Sequence, residues 1–325
     1  MIISRTPFRI SFAGGGSDLK EYYHRYGGAV LSTSIDKYMY LSIHPFFNDS
    51  KILLKYSEIE LVEKVEQIKH RIIRQVFGNL GVSGVDFNSS ADIPSGTGLG
   101  SSSAFTVGLL TLCNAFLGRF ESREEVARKA CMVEIDQLGE PIGKQDQYAC
   151  AVGGLNFIEF KENEQVVVEK MAIGKAALET LEDNLQMFYL GTSRSASNIL
   201  SEQRQNILTS EAKVQTLHKM VGLAYSLREE FQSGRIDSLG EILDAGWQYK
   251  RELASQISNS SINDLYDRAI AAGATGGKLL GAGGGGFLLF YTPKERQAAV
   301  KLALADLHEV PIRLDFSGST LVFCD

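Results

Sequence analysis

The sequence is poor in the residues that build disulfides and soft-metal centres. Its four cysteines, Cys113, Cys131, Cys150 and Cys324, are widely separated and include no C-x-x-C pair. That excludes a zinc ribbon or a dithiol redox motif, and the apolar or helical surroundings of three of them suit buried thiols in a reducing compartment. The five histidines never fall at H-x-x-x-H spacing, so a metal, if one is used, should be a hard cation on oxygen ligands. Positive charge is not in excess either. A formal net charge of −6 provides no field for nucleic acid or an anionic membrane, and any anionic ligand must be held by local groups. No apolar run reaches the roughly 18 residues of a membrane span, and residues 1–5 lack the charged and apolar regions of a signal peptide. The expectation is a cytoplasmic enzyme without membrane or nucleic-acid partners. Internal repeats and low-complexity segments are absent as well.

What is present is an ordinary globular composition, 44% hydrophobic and 22% charged over 325 residues, enough for two domains of similar size or one large one. The most informative stretch is 92–104, in which Pro94, Gly96, Gly98, Leu99, Gly100, Ser101, Ser102 and Ser103 run directly into an apolar helical segment, 105–117. Alternating glycines allow positive φ and close approach of backbone to ligand. A helix start offers unpartnered N–H groups and the positive end of the helix dipole, so the stretch reads as a phosphate loop. One serine would suffice for a cap; three behind alternating glycines exceed that need.

In chain order, residues 5–13 alternate as a strand with Phe8, Ile10 and Phe12 on one face and Arg9 on the non-core side. It ends in Gly14, Gly15, Gly16, Ser17 and Asp18. Asp18 with Glu21 fits a capping box for a helix through Tyr26, or Asp18 contacts a ligand. Strands are expected at 38–47, 51–62 and 85–90, with a helix at 67–80. Ser122 and Glu125 cap a helix from Arg123 to about Leu138, on which Ala127, Cys131, Glu134 and Leu138 share a stripe. A carboxylate there requires an arginine, a bound Mg²⁺, or a stripe edge open to water. Asp146 follows a Pro and Gly loop and has Lys144 and Gln147 as neighbours, a pattern that also suits a helix N-cap. A hairpin at 155–171 closes the first half.

The second half predicts a strand at 185–190, helices at 196–208, 211–231, 236–256 and 293–307, and strands at 287–291, 311–316 and 319–323. Gly191 to Ala196, with Arg194, places small residues and a cation at a helix start. Gly281, Gly283 and Gly286 match G-x-G-x-x-G, yet a strand follows rather than a helix, so the dinucleotide reading fails. The glycines instead let this backbone pass close to another segment or a ligand.

Three glycine motifs in this order resemble the GHMP kinases, the family named for galactokinase, homoserine kinase, mevalonate kinase and phosphomevalonate kinase. Thr6 to Gly15 is similar to the first motif, Pro94 to Ala104 to the phosphate loop, and Lys278 to Phe287 to the third. The resemblance implies an α+β GHMP kinase fold: an N-terminal domain (1–170) like domain 2 of ribosomal protein S5 and a C-terminal ferredoxin-like domain (171–325). It also implies ATP and Mg²⁺, with Asp146 as the active-site aspartate, Arg9 beside it, and Glu134 with Ser102 or Ser103 on the metal. Within the family, residues 13–18, 143–148, 191–194 and 277–281 are similar to the heptose kinases, which phosphorylate the anomeric hydroxyl of D-glycero-D-manno-heptose 7-phosphate in nucleotide-activated heptose synthesis. Gly15, Gly16, Ser17, Asp18, Arg194, Lys250, Gly283 and Gly284 would then face the sugar, with Arg194 and Lys250 on its phosphate, in a monomer or homodimer. A fucokinase- or galactokinase-like kinase of unphosphorylated sugars, a decarboxylase of the same superfamily, and a non-catalytic sugar and ATP sensor are the other readings.

Overall fold

The computed structural model describes residues 1–48, 50–192 and 197–325. Arg194 therefore lies outside the described residues. The framework begins with β1 (Ile2–Ala13) and β2 (Gly28–Pro45), antiparallel neighbours joined by a glycine turn and the short helix α1 (Lys20–Tyr26). β2 is long enough to serve two partners, β5 (Val85–Ala91) along its second half and β6 (Leu155–Phe160) along its first. β3 (Ile52–Lys55) lies parallel to β5 and pairs with β4 (Ile59–Val62), while β7 (Val166–Lys170) completes the hairpin with β6.

α3 (Ser101–Phe116) packs on β1 and β2, and α2 (Arg71–Leu80) packs on α3 and meets the sheet where Phe77 stands edge-on to Phe87. α3 is buried along nearly its whole length, as its all-round apolar sequence demands. Ser122 caps α4 (Arg123–Cys131) by accepting from the Glu125 N–H at 3.2 Å. The helix then widens into a π-helical segment, Met132–Gln137, before α5 (Gln145–Val152). Widened turns of this kind recur at functional sites.

The second half comprises α6 (Lys175–Asn184), β8 (Leu185–Tyr189), α7 (Ser197–Thr209), α8 (Glu211–Gln232), α9 (Ser238–Arg251), α10 (Ser260–Ala272), β9 (Gly276–Leu279), β10 (Phe287–Tyr291), α11 (Gln297–Ala303) and β11 (His308–Glu309). Its sheet runs β11-β8-β10-β9, with every pairing antiparallel. Two sequence expectations change here. Residues 311–316 form no strand and leave only the bridge Ile35 to Leu314. The final strand, β12 (Thr320–Cys324), returns to the first sheet and pairs with β1, Ile2 opposite Cys324 and Arg5 opposite Thr320. Chain order and spatial unit thus part company at the C-terminus.

Candidate active site

The phosphate loop has the backbone its sequence asks for. Gly96, Gly98 and Gly100 all take positive φ, at 73°, 85° and 77°. Gly100 is the N-cap of α3, and no side chain caps the helix there. The N-terminal turn of α3 is thus not closed off by its own side chains, and Ser101, Ser102 and Ser103 line a cavity of about 400 Å³. The third glycine stretch packs on this loop. A Cβ on Gly98 would stand 2.6 Å from the Leu280 carbonyl oxygen and 3.0 Å from Gly281 Cα. Glycine is needed here for backbone-to-backbone contact, the close passage expected from the sequence.

Arg9 ties this loop to a carboxylate. Its backbone N–H donates to Leu99 O at 3.0 Å and its Nη1 to Gly98 O at 2.7 Å. The other edge of the guanidinium grips Asp146 in a bidentate pair, Nε to Oδ1 at 2.6 Å and Nη2 to Oδ2 at 2.5 Å. Arg9 is buried, so the non-core face of β1 is covered rather than solvated. Burial alone would pull the Arg9 pKa down, but the Asp146 charge and its hydrogen bonds outweigh that and the net shift is upward. Asp146 sits in the first turn of α5, where the helix dipole favours a negative charge; the N-cap position belongs to Lys144. The Lys144 ammonium pairs with Glu164, so the cation that serves Asp146 is the distant Arg9 and not its neighbour in sequence.

Glu134 is wholly buried, which removes the solvent-edge alternative. Its partners are neutral: Ser102 Oγ donates to Oε1 at 2.5 Å and Gln147 Nε2 to Oε2 at 2.7 Å. Burial raises its pKa, opposed by the Ser102, Gln147 and Ser103 hydrogen bonds and reinforced by the Asp146 charge. Carboxylate and hydroxyl are hard oxygen donors, and a compensating positive charge is missing from the pair. The chemistry therefore fits a hard divalent cation, which takes few protein ligands and completes its shell with phosphates and water. Among the described residues no cluster of three or more His, Cys, Asp or Glu forms a metal cage.

Gly15, Gly16 and Asp18 also line the cavity. Asp18 forms no capping box: α1 is capped by Leu19 without a side-chain bond, and Glu21 pairs with Arg204 at 2.5 Å. The Asp18 carboxylate instead accepts from the Gly16 N–H at 2.9 Å, the Gln145 N–H at 3.2 Å and Gln145 Nε2 at 3.1 Å. Burial and the nearby Asp146 charge raise its pKa against those backbone hydrogen bonds. Gly143 is packed so closely on this carboxylate that any side chain would collide with it.

Five expected site residues, Ser17, Pro94, Leu99, Glu134 and Gly284, do not line the cavity. The Ser17 hydroxyl is buried and committed to Gly14 O at 2.8 Å and Ala29 O at 3.1 Å, so it holds the turn. Leu99 is fully buried in the core, and Pro94 contributes its carbonyl to the Thr97 hydroxyl at 2.9 Å. Gly283 lines the cavity, but Gly284 turns its N–H to Ile257 O at 3.0 Å. Lys250 does line the cavity, with its ammonium on the carbonyls of Leu279, at 3.1 Å, and Gly281.

Lys278 is the residue most clearly missed from the sequence as a site component. It lines the cavity while its Nζ donates to Ser11 O at 2.7 Å and Phe12 O at 3.0 Å. The available signal is a lone lysine in an otherwise glycine and apolar stretch, 276–282. Gln145 and Gln147, flanking Asp146, were visible only as polar neighbours and turn out to orient Asp18 and Glu134.

Comparison with known proteins places this cleft in a family. The model of the GHMP kinases N terminal domain matches residues 62–154, and that of the GHMP kinases C terminal domain matches residues 227–309. The D-glycero-alpha-D-manno-heptose 7-phosphate kinase of Campylobacter jejuni is 30% identical over 92% of either chain. A crystal structure of a D-glycero-D-manno-heptose 1-phosphate kinase from Bacteroides thetaiotaomicron aligns over the full length of both chains with a TM-score of 0.81 at 24% identity. Galactokinase of Lactococcus lactis, solved with galactose, aligns over 98% of this chain and 94% of its own with a TM-score of 0.75 at 17% identity. Matches in both halves of the sequence and a relative aligned along almost its entire length make this chain a member of the GHMP kinase family, whose members are ATP-using small-molecule kinases.

Proposed function

We propose that the protein is an ATP-dependent sugar 1-kinase that phosphorylates the anomeric hydroxyl of D-glycero-D-manno-heptose 7-phosphate. The observation that carries this reading is the double grip of Arg9, which joins the Asp146 carboxylate to the phosphate loop across one guanidinium. The named activity of the Campylobacter jejuni relative supplies the acceptor. In this reading the ATP phosphates lie along Gly96 to Ser103, held by the helix N-terminus. Ser102, Ser103 and Glu134 would hold Mg²⁺, which neutralises charge on the transferred phosphate when bound. Asp18, Gly15 and Gly16 face the sugar, and Asp146 orients the attacking hydroxyl and accepts its proton late, since a carboxylate is a weak base toward an alcohol. Phosphoryl transfer depends mainly on positioning and charge stabilisation, which a rigid Arg9–Asp146 pair is suited to provide. Arg194 is assigned to the acceptor's own phosphate. The division into units at residue 170 is proposed only for the chain before β12.

An ADP-release panel of sugars and sugar 7-phosphates, with phosphorus NMR on the product, tests the assignment. The expected result is turnover with the heptose 7-phosphate and a new phosphorus signal at the anomeric position. Arg194→Ala should raise KM for the sugar phosphate. Preferential turnover of unphosphorylated fucose or galactose would overturn the acceptor assignment and leave the kinase reading standing.

A further inference from the structure

A second cavity, of 180 Å³, opens beside the C-terminal end of α3, about 18 Å along that helix from Ser102 at a rise of about 1.5 Å per residue. Its wall contains Asn114, which is only 3% exposed and whose Oδ1 and Nδ2 both lack a hydrogen-bond partner. An amide buried in that state is costly to the fold unless something fills its donor and acceptor capacity. Two guanidinium groups, Arg119 and Arg123, join it on the same cavity, and neither forms an ion pair among the described residues; Arg123 reaches only the Val152 carbonyl, at 3.2 Å. Glu121 pairs with Lys129 through one oxygen, while its other oxygen, Oε2, is buried and unpartnered. The Ser319 hydroxyl, bonded to Thr6 and Thr111 at 2.9 and 3.0 Å, completes the polar wall, and exposed Phe120 also lines the cavity.

We propose that this cavity is a binding site for a small sugar phosphate, separate from the active cleft. The two arginines suit a phosphate group, for which guanidinium forks are well matched. Glu121 Oε2 and Asn114 Oδ1 accept from sugar hydroxyls, Asn114 Nδ2 donates to one, and the Phe120 face covers the apolar side of the ring. The volume, less than half that of the active cleft, is too small for a nucleotide. The inference does not depend on which acceptor the active cleft takes.

Calorimetric titration of the full chain, loaded with Mg²⁺ and a non-hydrolysable ATP analogue, tests it with three probes: glucose 6-phosphate, mannose 1,6-bisphosphate and inorganic phosphate. At least one sugar phosphate should bind more tightly than inorganic phosphate, and Arg119→Ala should weaken that binding about tenfold or more with kinase activity retained. Asn114→Leu should abolish the binding and raise the Tm of the free protein, because it removes two unpartnered groups. Binding that is unchanged in both variants, no saturable binding of either sugar phosphate, or inorganic phosphate binding as tightly as the sugars would overturn the proposal. So would a lowered Tm in Asn114→Leu, which would mean that the amide serves the fold itself.

Discussion

Three cations converge on the phosphate-loop side of the cleft, and their burial sets how each behaves. Burial pulls the Lys250 pKa down to about 7, and the Arg9 charge adds to the effect. Lys278 is pushed well down by burial and by the charges of Lys250 and Arg9. Because the folded pKa of Lys250 lies below its unfolded value near 10.5, the folded chain binds fewer protons between about pH 7 and 10.5, and this group makes stability rise with pH across that window. A triphosphate brings negative charge beside it and should draw a proton back. At pH 8, nucleotide binding measured calorimetrically in buffers of different ionisation enthalpy should show proton uptake, reduced in Lys250→Met; identical uptake in that variant would remove Lys250 as its source. The sequence disclosed these residues unevenly. Arg9 and Asp146 were legible because a motif marks each, though their bidentate pair spans the fold. Glu134 was legible as a puzzle, a carboxylate on an apolar stripe, whereas its partners Ser102 and Gln147 come from other elements and no local pattern joins them. Asp18 read equally well as a cap, since local spacing could not reveal that Gln145 would claim it.

At the scale of elements, the loop and the start of α3 form one stretch of backbone suited to an anion, and the third glycine stretch packs against it. Gly98→Ala should therefore destabilise the protein by more than the roughly 1–2 kcal/mol that positive φ costs a side chain, because its Cβ would also press on Leu280 and Gly281. Gly118→Ala is the control: φ is 67° with nothing within 4 Å of the added carbon, so only the backbone cost applies. Urea denaturation of both variants checks this, and equal losses would mean that the glycine contact is loose. Most helices were visible from caps and periodicity, including α4 with its Ser122 cap. α6 and α10 are not; in α10, Ser, Asn and Asp dilute the apolar face, and the helix is held by the Asn259 cap, which accepts from the Ile262 N–H at 2.9 Å, and by burial of Ile262, Leu265, Tyr266 and Ala269. The π-helical segment that carries Glu134 is not visible in the sequence, since apolar spacing does not distinguish one widened turn from ordinary helix.

At the scale of the whole molecule, the cleft is assembled from segments at both ends of the chain. Arg9 comes from β1, Asp146 from α5, and Lys250 and Lys278 from α9 and β9, while Lys278 reaches back to the carbonyls of Ser11 and Phe12. β12 binds the two ends further by closing the first sheet beside β1. No sequence pattern near residue 320 reveals a partner near residue 2, which is why the strand was legible and its place was not. The proposed function requires Asp146 to address the acceptor from within the Arg9 grip. The most direct test is Asp146→Asn, measured for turnover and for nucleotide affinity in the same preparation. Turnover should fall by at least about 100-fold, the scale of a lost proton acceptor, with the nucleotide Kd nearly unchanged. Turnover close to that of the unaltered protein would contradict it.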